Sequence, residues 1–302
     1  MTRIPRVIGI LSALLALAGT LCAEESVVDI TINDQSIREE FEAGLEALRQ
    51  SPALVPAVEL IEQLRAQGAG GARSSETHPQ LSLSKPGERA MTSSEVYRSA
   101  LQSTLIVGNL YQCGKCSRWH SSLAGGVLID ASGVLVTNYH VIDSDKVAVF
   151  AAMTVDGEVF PIVEVLAASK ADDLAIVRVR ADKDLAAAPL ADRNEPVGAE
   201  IRVISHPDGR FYTFSEGIAA RYFLDPGKRS ARLQITADYA RGSSGCGVFN
   251  ETGALVGIVS STDSIYYTEE NKVQRNLQMV VKSCIPLDSV RRLLSKWTSP
   301  RN

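Results

Sequence analysis

Apolar residues recur at helical spacing through residues 34–67. Ile37, Phe41, Leu45 and Leu48 are separated by four, four and three positions, one face of a 3.6-residue period. Asn33 or Asp34 can cap this helix, and Ser51-Pro52 stops it. Leu60, Ile61 and Leu64 carry the pattern into a second helix that ends at Gly68. A helical hairpin this small is not stable alone, so it must pack on another part of the fold. Residues 68–94 are rich in Gly, Ser and Pro, lack periodicity and read as a flexible linker.

From Glu95 the pattern changes. A helical turn (Glu95 to Gln102) leads into Thr104-Leu105-Ile106-Val107, followed by short β-branched runs at 124–130, 134–137, 146–150, 158–166 and 173–179. A second set follows at 200–205, 211–223, 231–237, 247–249, 254–260 and 276–283. The polar stretch Ala181 to Pro196 separates the two groups, and Leu287 to Trp297 closes the chain as an amphipathic helix. Many short strands with frequent turn signals predict an all-β domain, either antiparallel barrels or a sandwich.

The 302 residues suffice for one large domain or two small ones, and 45% apolar with 22% charged residues is ordinary for a soluble globular protein. Residues 1–23 carry Arg3 and Arg6, no acid, and an apolar run from Val7 to Ala18 before Leu21-Cys22-Ala23. That is the layout of a signal peptide, so the protein is expected to be exported, periplasmic or secreted. The alternative is an uncleaved anchor, although the run is near the short limit for crossing a bilayer. The formal net charge of −4 grows by two when Arg3 and Arg6 are removed. No basic field is left to attract nucleic acid or an anionic membrane. Four cysteines remain after residue 23 (Cys113, Cys116, Cys246 and Cys284), and an even count in an exported chain favours disulfides.

The chemistry concentrates in Arg241-Gly242-Ser243-Ser244-Gly245-Cys246-Gly247, a glycine-crowded turn between two strand-like runs. A serine between glycines suits a nucleophile whose neighbouring N–H groups must also face a developing oxyanion. A serine hydroxyl needs an adjacent base. The candidates are His78 in the linker, His120, His140 and His206 in a Pro-Asp-Gly turn. His140 directly follows the strand that ends Val136-Thr137-Asn138, as a base presented at a barrel edge would.

The turn around Ser244 resembles the G-[DN]-S-G-G-P signature of chymotrypsin-fold serine proteases. Gly125 to Ile142 is similar to the catalytic-histidine region of bacterial HtrA (Deg-type) proteases, and Asp172-Asp173-Leu174-Ala175-Ile176-Val177 resembles their catalytic-aspartate strand. The resemblance covers roughly residues 95–297. It implies two six-stranded antiparallel barrels with a C-terminal helix, in a protease domain at 95–298 acting on proteins or peptides; the PDZ module usual in HtrA proteins is not expected here, because no segment of that size follows. His140 would be the general base and acid, Asp173 its orienter with Asp172 ranked second, and Ser244 the nucleophile. The Gly242 and Ser244 N–H groups would form the oxyanion hole, and Ser260, Ser261 and Thr262 would pair with the substrate backbone. No cofactor or metal is implied. Asp238 stands where trypsin-like relatives place the base of the primary pocket, whereas HtrA-type relatives rebuild that loop, and the sequence leaves the preference open.

Two features depart from the family. Cys246 and Gly247 replace its usual Gly-Pro, and Cys246 is expected to pack or to bond Cys284. Cys113-Gly114-Lys115-Cys116 with His120 gives a C-x₂-C-x₃-H spacing without a nameable fourth ligand, so a local disulfide clip is expected ahead of a metal. Tyr111 and Trp119 beside it read as core aromatics. Two rival functions remain: a catalytically silent relative that binds unfolded chains or a partner through the helical hairpin, and a metal-dependent hydrolase at Cys113, Cys116 and His120.

Overall fold

The computed structural model describes residues 31–68, 81–227, 230–270 and 273–298. The expected signal peptide at 1–23 and residues 69–80 of the expected linker lie outside the described residues.

Six strands close the first barrel: β1 (Thr104–Gln112), β2 (Trp119–Asp130), β3 (Val134–Asn138), β4 (Val147–Met153), β5 (Val159–Ser169) and β6 (Leu174–Val179), in the order β1-β2-β3-β6-β5-β4. Six more close the second: β7 (Glu200–Ser205), β8 (Thr213–Leu224), β9 (Ala231–Ile235), β10 (Gly247–Phe249), β11 (Leu255–Glu270) and β12 (Val273–Pro286), ordered β10-β11-β12-β9-β8-β7. All pairings are antiparallel, as hairpin-linked short strands require. Closure decides the barrel-or-sandwich choice that the strand pattern left open.

Several strands run past their apolar signal. β2 begins at Trp119 rather than near 124, and β11 and β12 extend beyond the barrel as a paired ribbon from Thr262↔Lys282 to Glu270↔Val273. On that ribbon Ile265, Tyr267, Val273, Leu277 and Met279 are exposed, so no buried face marks it in the sequence.

Two helices precede the barrels, α1 (Asp34–Arg49) and α2 (Ala57–Gly68). Asn33 caps α1 by accepting from the Ser36 N–H, while the Asp34 carboxylate accepts from the Phe211 N–H at 2.8 Å. Both helices lie on the first barrel. Phe41 and Leu45 of α1 are fully buried, and the Phe41 ring fills the space left by Gly108 on β1. Ala57, Leu60, Ile61 and Leu64 of α2 share one core with Leu105, Val107, Leu128, Leu135, Phe150 and Val177. The backbone gives a reason for this docking. β4 pairs with β5 only over Val159–Pro161, so farther along β5 that edge lacks a strand partner. Gln63 of α2 accepts from the Val165 N–H at 2.9 Å and Gln67 donates to the Val165 carbonyl at 2.7 Å, satisfying the groups a missing strand leaves open.

Residues 81–92 run without regular structure and bond both barrels, through the Ser82 N–H to Asp130 (2.6 Å) and the Met91 N–H to the Glu251 carbonyl (2.8 Å). They lead into α3 (Ser93–Leu101), which opens with a Thr92/Glu95 capping box. The last helix, α5 (Leu287–Thr298), packs on β5 of the first barrel as well as β11 and β12 of the second.

Because Phe41 is fully buried against Gly108 of the first barrel, Phe41→Ala is expected to cost about 3–5 kcal/mol. Urea unfolding followed by helical circular dichroism and by tryptophan fluorescence should show one transition at a lower midpoint. An unchanged midpoint, or helix loss well ahead of the barrel, would contradict a shared core.

Candidate active site

The cleft is built from the junction of β3 and β6. Asn138 pairs in register with Leu174, which brings the residues just past β3 against the residue just before β6. The chain leaves β3 through a single helical turn, α4 (Tyr139–Ile142), with His140 on it. Asp173 is 8% exposed and adopts φ +63°, a conformation that costs an ordinary L residue about 1–2 kcal/mol. Four hydrogen bonds hold it there. Its carbonyl accepts from the Tyr139 N–H (3.0 Å) and Asn138 Nδ2 (3.1 Å), and its carboxylate from the His140 N–H (3.2 Å) and His140 Nδ1 (3.0 Å). A carboxylate accepts only, so Nδ1 carries the ring hydrogen and Nε2 keeps a free lone pair on the half-exposed side of the imidazole. Asp172 turns the other way, to Ser169 (2.9 Å) and Arg292 (3.6 Å).

The second barrel reaches the same carboxylate. Ser260 on β11 donates its hydroxyl to Asp173 Oδ2 at 3.0 Å, and Ser244 Oγ lies 3.4 Å from the Ser260 carbonyl. His140, Asp173 and Ser244 are thus brought to one cleft, linked through Ser260. The Ser244 hydroxyl points at that carbonyl, a contact near the limit of a hydrogen bond. The loop that carries it is fixed to the first barrel by the Gly125 N–H donating to the Ser244 carbonyl at 2.7 Å. A side chain on Gly245 would fall 2.1 Å from the Gly125 carbonyl and 2.4 Å from Thr137 Oγ1, so the two barrels meet here with no room to spare.

Gly242 has φ +95°, and a Cβ on it would lie 2.7 Å from the His206 carbonyl. The Arg241 carbonyl accepts from the Asp208 N–H at 2.7 Å, and the Arg241 guanidinium meets the Asp208 carboxylate at 3.0 Å. In a trans peptide C=O and N–H point in opposite directions, so this bond turns the Gly242 N–H away from the Asp208 turn. Neither the Gly242 nor the Ser244 N–H donates to another described residue.

Along β11, β10 pairs only as far as Ile258, which leaves one backbone edge of Ser260-Ser261-Thr262 without a strand partner. Asp238 does not point into a pocket. Its carboxylate is 91% exposed and 3.5 Å from Lys282 Nζ. Its neighbour Tyr239 turns inward instead: the buried ring brings its hydroxyl within 2.9 Å of the Ser261 carbonyl and 3.0 Å of that of Ser283. Nothing in the sequence singled out Tyr239 or the Ser260 hydroxyl; the burial of Ala237 and Tyr239 around exposed Asp238 is visible only once the loop is folded.

The cysteines correct the expected disulfides, because Cys113, Cys116, Cys246 and Cys284 are all free thiols. Cys246 and Cys284 lie on opposite sides of β11: the Val259 N–H donates to the Cys246 carbonyl, and Val259 pairs with Cys284. Two strand spacings of about 4.8 Å separate such positions, beyond disulfide reach. Cys246 is fully buried with its sulfur against Gly125, and burial pushes its thiol well above the ordinary range, an inert environment. Burial likewise raises Cys284, to about 12. Cys113 and Cys116 stand 3.6 Å apart at the β1–β2 turn, with His120 Nε2 3.1 Å from Cys116 Sγ. The Cys113 thiol is pulled below its ordinary value by the Lys115 N–H and by Cys116. Tyr111 and Trp119 are half-buried rather than core, and Arg49 stacks 5.1 Å over Trp119.

The trypsin-like peptidase domain family matches residues 124–258. Serine endoprotease DegS of Escherichia coli K12 is 32% identical over 162 residues, 50% of this chain and 44% of DegS. Periplasmic serine endoprotease DegP of Salmonella typhimurium is 33% identical over 142 residues, 45% of this chain and 29% of DegP. Magnetosome formation protease MamE of Paramagnetospirillum magneticum is 29% identical over 201 residues, 63% of this chain and 27% of MamE. The chain therefore spans less than half the length of these curated relatives.

Behind the Gly242 loop, His206 is fully buried. Its Nδ1 accepts from the Tyr212 N–H at 3.1 Å and its Nε2 faces the Leu105 carbonyl at 3.5 Å, the arrangement of a neutral ring. Burial pushes its pKa down from 6.5 to about 4. The folded value is the lower one, so the resulting stability is complete above pH 6.5 and is lost as pH falls towards 4. The shift corresponds to roughly 3 kcal/mol. Chemical denaturation at steps between pH 7 and pH 4 should show a loss of that order, reduced in His206→Gln; a flat wild-type profile would contradict it.

Proposed function

We propose that this chain, whose residues 124–258 match the trypsin-like peptidase domain family, is a serine endopeptidase that cuts peptide bonds through an acyl-enzyme on Ser244. One observation carries the reading. The Asp173 carboxylate accepts from His140 Nδ1 of the first barrel and from Ser260 of the second, next to Ser244.

The Ser244 hydroxyl rotates from the Ser260 carbonyl to His140 Nε2, which takes its proton as Oγ attacks the scissile carbonyl. Asp173 keeps the hydrogen on Nδ1 and stabilises the imidazolium. The Gly242 and Ser244 N–H groups receive the oxyanion. His140 returns the proton to the leaving amine, then deprotonates the water that hydrolyses the ester and frees Ser244. The open edge of Ser260-Ser261-Thr262 takes the substrate as an added strand, with Tyr239 bracing β11 from its other side. Asp238 in solvent gives no buried negative charge, so this reading drops a preference for Lys or Arg at that position. The leader-like residues 1–23 and the periplasmic relative support action outside the cytoplasm, on exported or envelope proteins.

A fluorophosphonate probe is expected to label the wild type and Cys246→Ser, but not Ser244→Ala. No labelling of the folded wild type would favour a binding module instead. Gly242→Ala forces a side chain into the His206 carbonyl and should turn its N–H out of the hole, lowering peptide turnover by about 10²–10³ while the fold is retained. Turnover within a few-fold of wild type would remove Gly242 from the proposed hole.

A further inference from the structure

At the tip of the β1–β2 hairpin, six residues bridge Gln112 and Trp119, which face each other in register. Gly114, at φ +73°, turns the chain so that the Lys115 N–H points at Cys113 Sγ at 3.4 Å. An N–H aimed at sulfur favours the thiolate, the form that binds metals. Cys113 Sγ and Cys116 Sγ lie 3.6 Å apart, and Cys116 Sγ lies 3.1 Å from His120 Nε2. All three donor atoms are within 4.8 Å of one another. A disulfide would hold the sulfurs at about 2.05 Å. A tetrahedral zinc ion, with bonds of about 2.3 Å to sulfur and 2.0–2.1 Å to nitrogen, places two thiolates about 3.8 Å apart and a thiolate and imidazole about 3.6 Å apart. Two of the three separations stand within roughly half an ångström of that arrangement, and the third, Cys113 Sγ to His120 Nε2, is within 4.8 Å.

One donor rests on a strand. His120 is on β2, opposite Tyr111, whose ring centroid is 5.6 Å from its own. The neighbouring residues are tied to α1, Ser121 by a hydrogen bond to Glu42 and Trp119 by the Arg49 guanidinium stacked over it.

We infer that Cys113, Cys116 and His120 form a binding site for a soft divalent cation, zinc foremost, with a fourth position open to solvent. Cys116 is exposed, so an ion reaches the site directly, and a water completes the tetrahedron. Binding releases two thiol protons to solvent and leaves His120 coordinated through Nε2 with its hydrogen on Nδ1; no electrons move. The soft donor set selects against magnesium and calcium. His120 precedes Gly125, which holds the Ser244 loop, by five strand residues, about 17 Å. The ion is therefore remote from Ser244 and acts as a clasp on the hairpin, independently of the peptidase reading.

The test uses the full chain, reduced, chelator-treated and inactivated with fluorophosphonate. Titration with Co²⁺ is expected to give one equivalent bound, a thiolate-to-cobalt charge-transfer absorption and the intense visible bands of tetrahedral cobalt, all displaced by Zn²⁺. Cys116→Ser should lose the charge-transfer band, and His120→Ala should weaken binding at least tenfold. A reduced protein that gives no charge-transfer band overturns the site, as does binding that survives in Cys116→Ser. Peptide mapping of protein purified without reductant that finds a Cys113–Cys116 disulfide throughout overturns it as a metal site of the native chain.

Discussion

The carboxylate of Asp173 is where the two barrels become one active-site candidate. It sits at the start of a strand, in a backbone conformation that an aspartate adopts only under constraint, and accepts from the His140 backbone, the His140 ring and the Ser260 hydroxyl. The donors come from two separately anchored segments: His140, with its N–H and its ring, on the turn after β3, and Ser260 on a strand of the second barrel. The backbone of Asp173 is meanwhile bonded to Asn138 and Tyr139. Removing any one partner leaves a largely buried charge with fewer donors, which is costly. That coupling, rather than any one contact, ties the two barrels together at this carboxylate.

Much of this could be read from the chain. The apolar runs located all twelve strand cores because a closed barrel buries one face of every strand, and Ile37, Phe41 and Leu45 located α1 because one helical face is buried. His140, Asp173 and Ser244 were singled out through short segments that combine strand, turn and glycine in a recognisable order, and these three residues lie near one another, joined through Ser260. The limits were physical too. The outer β11–β12 ribbon has apolar residues on exposed faces, so burial imposes no alternation there. Ser260 was read for its backbone alone, since a hydroxyl on a strand gives no sign of the carboxylate it will meet 87 positions away. That Asp238 faces solvent while Tyr239 turns inward is a choice made by the loop and not by residue type.

The cysteines show the same limit from another side. Counting thiols in a chain with an export-like start predicts pairs, but pairing is decided by whether sulfurs can approach. A strand stands between Cys246 and Cys284, whereas Cys113 and Cys116 approach without joining. Cys246 in place of the usual glycine is accommodated because Gly125 gives way across the barrel interface. The departure from that signature is thus absorbed by packing and leaves the Ser244 backbone bonded to Gly125.

The glutamines of α2 have a consequence for how the chain survives outside a cell's folding machinery. A row of unsatisfied backbone groups on a barrel strand is a template on which another molecule can grow a sheet. Gln63 and Gln67 occupy Val165 in the manner of a borrowed strand, and Leu60 and Leu64 hold them down. A segment that looks like an appendage to the barrels is, at this spot, the missing piece of a wall: a barrel released without it would offer neighbouring copies a sticky seam.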